Sequence, residues 1–137
     1  MTEQAVDQDI SGVRVAIVDD AKTIRMMMSH TLKKMGCEVE SAEDGYRALG
    51  MFRRFRPEII FLDISMPELD GYQTCSLIRH SEETRDIPVI LLSSSDGIFD
   101  IARGQARGAT AHVSKIPPDD VLRQLIHEHT RASSAVA

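Results

Sequence analysis

Glu58-Ile59-Ile60-Phe61-Leu62-Asp63 is an apolar run that ends on a carboxylate. A strand that is apolar at successive positions has no polar face to offer water, so it belongs inside a parallel sheet covered on both sides. Pro88-Val89-Ile90-Leu91-Leu92 is a second run of this kind and ends at Ser93. Three more short runs read as strands. These are Val13-Arg14-Val15-Ala16-Ile17-Val18, which leads into Asp19-Asp20, then Glu38-Val39-Glu40-Ser41-Ala42, and Ala111-His112-Val113, followed by Lys115.

Helical periods fill the intervals. Ile24, Met27, Met28, Thr31, Leu32 and Met35 form one apolar stripe, stopped by Gly36. Ala48, Leu49 and Phe52 form a second, closed by Pro57, and Tyr72, Cys75 and Ile78 form a third after Asp70-Gly71. Ile98, Ile101 and Ala102 mark a fourth helix ending near Gly108. Val121, Leu122, Leu125 and Ile126 mark a fifth, entered through Pro117-Pro118-Asp119, where proline and acid suit a first turn. Parallel neighbours need crossover connections, and these helices supply them. The fold class expected is α/β, a doubly wound five-stranded parallel sheet with five helices. The chain of 137 residues is the size of one domain, expected at 13–130 between a flexible tail at 1–12 and a short tail at 131–137.

Composition narrows the function. A net charge of −5 argues against a dedicated nucleic-acid binder, and the Arg53, Arg54, Arg56 cluster reads as a solvated helix end. Cys37 and Cys75 stand far apart without metal-ligand spacing, which fits buried, reduced thiols. No apolar run approaches the roughly 20 residues that span a bilayer, and the acidic N-terminus has no signal-peptide core. The chain is therefore expected in the cytoplasm, away from membrane and nucleic acid. It carries no phosphate-binding glycine loop of either common kind, so nucleotide binding has no support.

In doubly wound sheets ligands bind beyond the carboxyl ends of the strands. The residues at those ends are Asp19 and Asp20, Asp63, Ser93, and Lys115 just past the last strand. Each alone has an ordinary reading: an aspartate as helix N-cap, a serine as turn residue within Ser93-Ser94-Ser95-Asp96-Gly97, a lysine as solvated charge. Their coincidence on one rim argues for a site. Clustered carboxylates repel, and a hard divalent cation such as Mg²⁺ relieves that repulsion. The chemistry such a set supports is phosphoryl transfer, in which an aspartate oxygen attacks phosphorus, cations neutralise the other oxygens and a hydroxyl donates a hydrogen bond.

These residues resemble the response-regulator receiver domain, the CheY-like, flavodoxin-like fold of two-component signalling. The likeness rests on Asp19-Asp20, on Asp63 followed by Met66-Pro67 and Asp70-Gly71, on Pro88 with the strand ending at Ser93, and on Lys115. Within the family the chain is most similar to stand-alone regulators of type IV pilus (twitching motility) chemosensory systems, through Asp20-Ala21-Lys22-Thr23-Ile24-Arg25, Asp70-Gly71-Tyr72-Gln73-Thr74-Cys75 and Leu92-Ser93-Ser94-Ser95-Asp96-Gly97.

The resemblance implies that Asp63 is the phosphoacceptor, and that Asp19, Asp20 and Asp63 bind Mg²⁺ together with the backbone carbonyl of Ser65. It further implies that Ser93 is the switch hydroxyl, that Lys115 contacts the phosphate, and that His112 stands where the family often has a rotating aromatic switch. The partners implied are a CheA-like sensor histidine kinase and a downstream effector, pilus machinery among the candidates, with the protein a monomer or weak dimer. Output is expected through the face of the fourth helix, fifth strand and fifth helix. Such a protein is a signalling acceptor rather than an enzyme.

One departure concerns Lys115, which precedes Ile116 where the family usually has Pro, leaving a trans peptide or a costly cis one. His112 is the other, being polar where the family often has an aromatic ring. Two alternatives remain at this point: a receiver-like scaffold that takes no phosphate, and a small phosphatase of the haloacid-dehalogenase type. The second needs an acid two residues after its nucleophile, where Ser65 stands.

Overall fold

The computed structural model describes residues 9–94 and 98–130, with the backbone alone at 98–100. The Ser95-Asp96-Gly97 part of the stretch that follows Ser93, and most of the two expected tails, lie outside the described residues.

Five strands form the sheet: β1 (Arg14–Val18), β2 (Glu38–Ala42), β3 (Ile59–Asp63), β4 (Val89–Ser93) and β5 (Ala111–Ser114). They alternate with α1 (Lys22–Lys34), α2 (Gly45–Phe55), α3 (Gly71–Arg79), α4 (Ile98–Ala106) and α5 (Asp119–His129). All neighbours are parallel, in the order β2-β1-β3-β4-β5. This is the doubly wound architecture expected. Its topological switch point falls between β1 and β3, where a crevice opens at the carboxyl ends.

The apolar runs explain the layering, because successive side chains point to opposite faces. Ala16, Val18, Ile60, Leu62, Val89 and Leu91 face Ala48, Met51 and Phe52 of α2 and Tyr72, Cys75 and Ile78 of α3. Val15, Ile17, Ile59, Phe61, Ile90 and Leu92 face Met28 and Leu32 of α1 and Leu122 and Ile126 of α5. β3 and β4 are buried throughout and β1 at every residue but Arg14, whereas edge strand β2 has only Ala42 buried. Fully burying one such aliphatic side chain contributes about 1.5–3 kcal/mol. Ile10, inside the segment expected as a tail, is completely buried and packs in the second cluster.

Local chemistry ends and starts the helices. Gly36, at φ 94°, closes α1 in the left-handed region as its position implied. Asp44 caps α2 by accepting the Arg47 N–H at 2.7 Å. Asp70 and Gln73 form a reciprocal capping box on α3, the Gln73 N–H reaching Asp70 Oδ1 at 2.8 Å and the Asp70 N–H reaching Gln73 Oε1 at 2.9 Å. Arg53 and Arg54 occupy the last turn of α2, with Arg56 its left-handed C-cap, so this cluster is a basic helix end. Cys37 and Cys75 are both buried and free.

Candidate functional site

Strand register assembles the site. Val18 pairs with Leu62, so Asp19 leaves β1 beside Asp63 at the end of β3. Asp63 pairs with Leu92, and Ser93 pairs with Ser114, so Ser93 and Lys115 stand at the ends of the next two strands. Oxygens of Asp19, Asp20 and Asp63 all lie within 4.8 Å of one another, with Asp19 and Asp63 fully buried and Asp20 exposed. The Lys115 ammonium sits 2.9 Å from Asp63 Oδ1 and 3.3 Å from Asp19 Oδ2. Four of the sequence-derived residues are thus one charged cluster.

Lys115 reaches that cluster through a Lys115–Ile116 peptide that is cis. Of the two possibilities left open by the missing proline, this is the one realised, and the ammonium points at the carboxylates. Ser93 is 2% exposed at the strand end, and its carbonyl accepts the Lys115 N–H at 2.8 Å, tying the two strand ends together. Ser65 is exposed, and its N–H donates to Asp63 Oδ1 at 3.0 Å. His112 sits on β5 away from the carboxylates, where it lines a groove of about 410 Å³ with Ile101, Val113, Ile116, Pro118 and Val121. Both its ring nitrogens are buried without a hydrogen-bond partner among the described residues.

The two oxygens of Asp63 differ. Oδ1 is engaged by Ser65 and Lys115, whereas Oδ2 is buried and accepts no hydrogen bond among the described residues. Asp19 divides its carboxylate similarly: Oδ1 takes the Ala21 N–H at 2.9 Å, while among the described residues Oδ2 has only the longer ion pair to Lys115. Burial drives the Asp63 pKa up to about 6; the Ser65 N–H and Lys115 oppose the rise and the Asp19 charge adds to it. Burial alone would lower the Lys115 pKa, but Asp63 and Asp19 outweigh it and hold the pKa above the ordinary value. Two buried carboxylates sharing one ammonium are short of positive charge. Asp19 Oδ2, which accepts no hydrogen bond among the described residues and lies inside an acidic cluster that also holds Asp20 and Asp63, is what a hard divalent cation would satisfy, so the donor set fits Mg²⁺.

Two supports were not legible as site residues. Arg25, one turn into α1, donates from Nη1 to the Asp19 carbonyl at 2.6 Å and so fixes the strand end. Gly71 lies so close to the strand that an added Cβ would stand 2.3 Å from the Asp63 carbonyl oxygen. Asp70-Gly71 was visible as a motif; the close approach behind it was not.

The family model for the response regulator receiver domain matches residues 15–127, and the chain belongs to that family. The chain is 42% identical to Protein PilG of Pseudomonas aeruginosa over 131 residues, covering 96% of this chain and 97% of that one. It is also 38% identical to the response regulator PleD of Caulobacter vibrioides over 111 residues, 81% of this chain but 24% of PleD. Among solved structures, chemotaxis protein CheY4 of Vibrio cholerae superposes with a TM-score of 0.82 at 30% identity, covering 87% of this chain and 99% of that one. The receiver domain of a Pseudomonas aeruginosa sensor histidine kinase, whose active-site cleft coordinates a magnesium ion, shares the fold at a TM-score of 0.79 and 24% identity, over 87% of this chain and 98% of that domain.

Proposed function

We propose that this chain is a response regulator that accepts a phosphoryl group on Asp63 from a histidine kinase in a Mg²⁺-dependent reaction, and signals by docking on an effector. The observation that carries the reading is the unequal pair of oxygens on Asp63: Oδ1 is held by Ser65 and Lys115, while Oδ2 is buried and, among the described residues, unpartnered. An oxygen fixed in place and stripped of hydrogen bonds is a nucleophile. In the transfer, the bond from Oδ2 to phosphorus forms as the donor's phosphorus–nitrogen bond breaks, and the electron pair leaves with the histidine nitrogen, which takes a proton.

Asp19, Asp20 and Asp63, with the Ser65 backbone carbonyl, would hold Mg²⁺, which supplies charge neutralisation at the transferring group. Lys115 neutralises a further phosphoryl oxygen, and Ser93 donates to another. His112 serves as the switch on the β5 face. The 13–130 segment, joined by the buried Ile10, is the working domain, and the cytoplasm its compartment; among the described residues no helix is long and apolar enough to cross a membrane. The similarity to PilG and the motif likeness favour a kinase of the CheA kind and an output in pilus control. The pairing of Lys115 with Asp63 supports the acceptor reading over the scaffold alternative.

Incubation with a small acyl phosphate and Mg²⁺ tests the reading. Wild type is expected to gain one phosphoryl group that is stable to acid and labile to base, with uptake lost on chelation. No uptake would favour the scaffold, and continuous turnover of phosphate esters would favour the phosphatase.

A further inference from the structure

Arginines tie the C-terminal end of α4 to α3. Arg107 donates from Nη1 to Ser76 Oγ at 3.1 Å, and its carbonyl lies 3.4 Å from Cys75 Sγ. Arg79 donates from Nε to the Gly108 carbonyl at 2.8 Å and from Nη1 to the Ile87 carbonyl at 2.7 Å. These anchors join the end of α3, the entry to β4 and the exit of α4, at the edge of the sheet opposite the carboxylates.

One turn nearer the site the contact is of another kind. The guanidinium carbon of Arg103 stands 4.3 Å from the centre of the Tyr72 ring. Tyr72 is 4% exposed and follows Gly71, the residue pressed against the Asp63 carbonyl. Beside Arg103, Gly104 packs so tightly that an added Cβ would lie 2.7 Å from Leu91 Cδ1 and 3.9 Å from Tyr72 Cε1. Arg103 therefore connects α4, which follows Ser93 in the chain, to the first turn of α3, which abuts the Asp63 carbonyl.

We propose that the Arg103–Tyr72 contact is a latch that holds α4 in its resting position and is released when Asp63 is phosphorylated. The proposal rests on the reading of Asp63 as acceptor. A phosphoryl group on Asp63 Oδ2 draws hydrogen bonds from Ser93 and Lys115, and that pull acts on the end of β4 from which α4 departs. The Arg79 and Arg107 anchors hold the far end, so the helix pivots there. Tyr72 stays with α3, fixed by the Asp70–Gln73 capping box and the Gly71 approach. Arg103 then slides off the ring, and a cation–π attraction fades beyond about 6 Å. By linkage, a contact made only in the resting state lowers the population that reacts best with a phosphoryl donor.

The test is the rate of phosphorylation by a small acyl phosphate with Mg²⁺, compared across full-length variants. Arg103→Gln is expected to react about two- to five-fold faster than wild type, the population ratio an exposed cation–π contact supports. Arg103→Lys, which keeps the cation, should restore the wild-type rate. Tyr72→Leu should match Arg103→Gln, and the double variant should be no faster than either. Arg107→Gln, at the pivot, should leave the rate unchanged. If wild type is phosphorylated but Arg103→Gln reacts at the same rate or more slowly, the latch is overturned and the acceptor reading stands. Equal acceleration by Arg107→Gln also overturns it, since any loosening of α4 would then suffice. A wild type that takes no phosphoryl group overturns the acceptor reading and the latch together.

Discussion

Burial lifts the pKa of Asp63 from 3.8 to about 6, which makes this residue a measurable burden on the metal-free fold. Folding favours its protonated form, so the stability it contributes is full below about pH 4 and is lost as the pH rises through 6. The rise from 3.8 to about 6 corresponds to about 3 kcal/mol between the two limits. In urea titrations without divalent cations, Asp63→Asn is expected to be more stable than wild type by about 1–3 kcal/mol at pH 8 and to lose the advantage near pH 4. An Asn variant less stable than wild type at pH 8 would contradict this electrostatic account. Adding Mg²⁺ should stabilise wild type, by about 2.7 kcal/mol at a hundred times its dissociation constant, and do so far less for Asp63→Asn. The site residues were legible because each ends a strand or follows one. The division of labour between Asp63 Oδ1 and Oδ2 was not, because it depends on where the Lys115 ammonium lands after a cis peptide.

At the scale of elements, the turn between β3 and α3 decides how the carboxylate is presented. Gly71 brings the first turn of α3 against the Asp63 carbonyl, closer than any side chain permits. Gly71→Ala is expected to destabilise the protein by about 1–3 kcal/mol, as overpacking does, and to slow phosphoryl uptake because the Asp63 turn must shift. Chemical denaturation and uptake rate measure the two effects, and an Ala variant with both unchanged would refute the close approach. The elements themselves were readable to within a residue or two. Continuous apolar runs bounded by Asp, Ser and Pro admit few alternatives for β3 and β4, and Gly36 stops α1 by a mechanism that is local. What remained unread is non-local: the Arg25 bond to the Asp19 carbonyl, the Arg103 contact with Tyr72, and the burial of Ile10 amid polar neighbours.

The whole molecule has two cores, one on each face of a single sheet, and Cys37 and Cys75 report on them separately. Cys75 lies in the α2–α3 layer and Cys37 in the α1–α5 layer. Burial pushes the Cys37 thiol up to about 11 and raises that of Cys75 as well, so neither offers much thiolate at neutral pH. Because both layers share the central strands, they are expected to unfold together. Labelling of both thiols should then follow a single urea transition coincident with loss of helix, and labelling of one well before the other would show that the layers unfold independently. The same shared strands carry Asp19, Asp63 and Ser93 at their ends, so the stability of the sheet is what holds the site in register.

The most direct test of the central claim is to locate the phosphoryl group. After reaction with a phosphorylated histidine kinase or an acyl phosphate in Mg²⁺, borohydride reduction converts the phosphorylated aspartate to homoserine, which peptide mass spectrometry then places. Homoserine is expected at position 63 and nowhere else. Homoserine at position 19 or 20, or an unmodified Asp63 in protein that carries phosphate elsewhere, would contradict it.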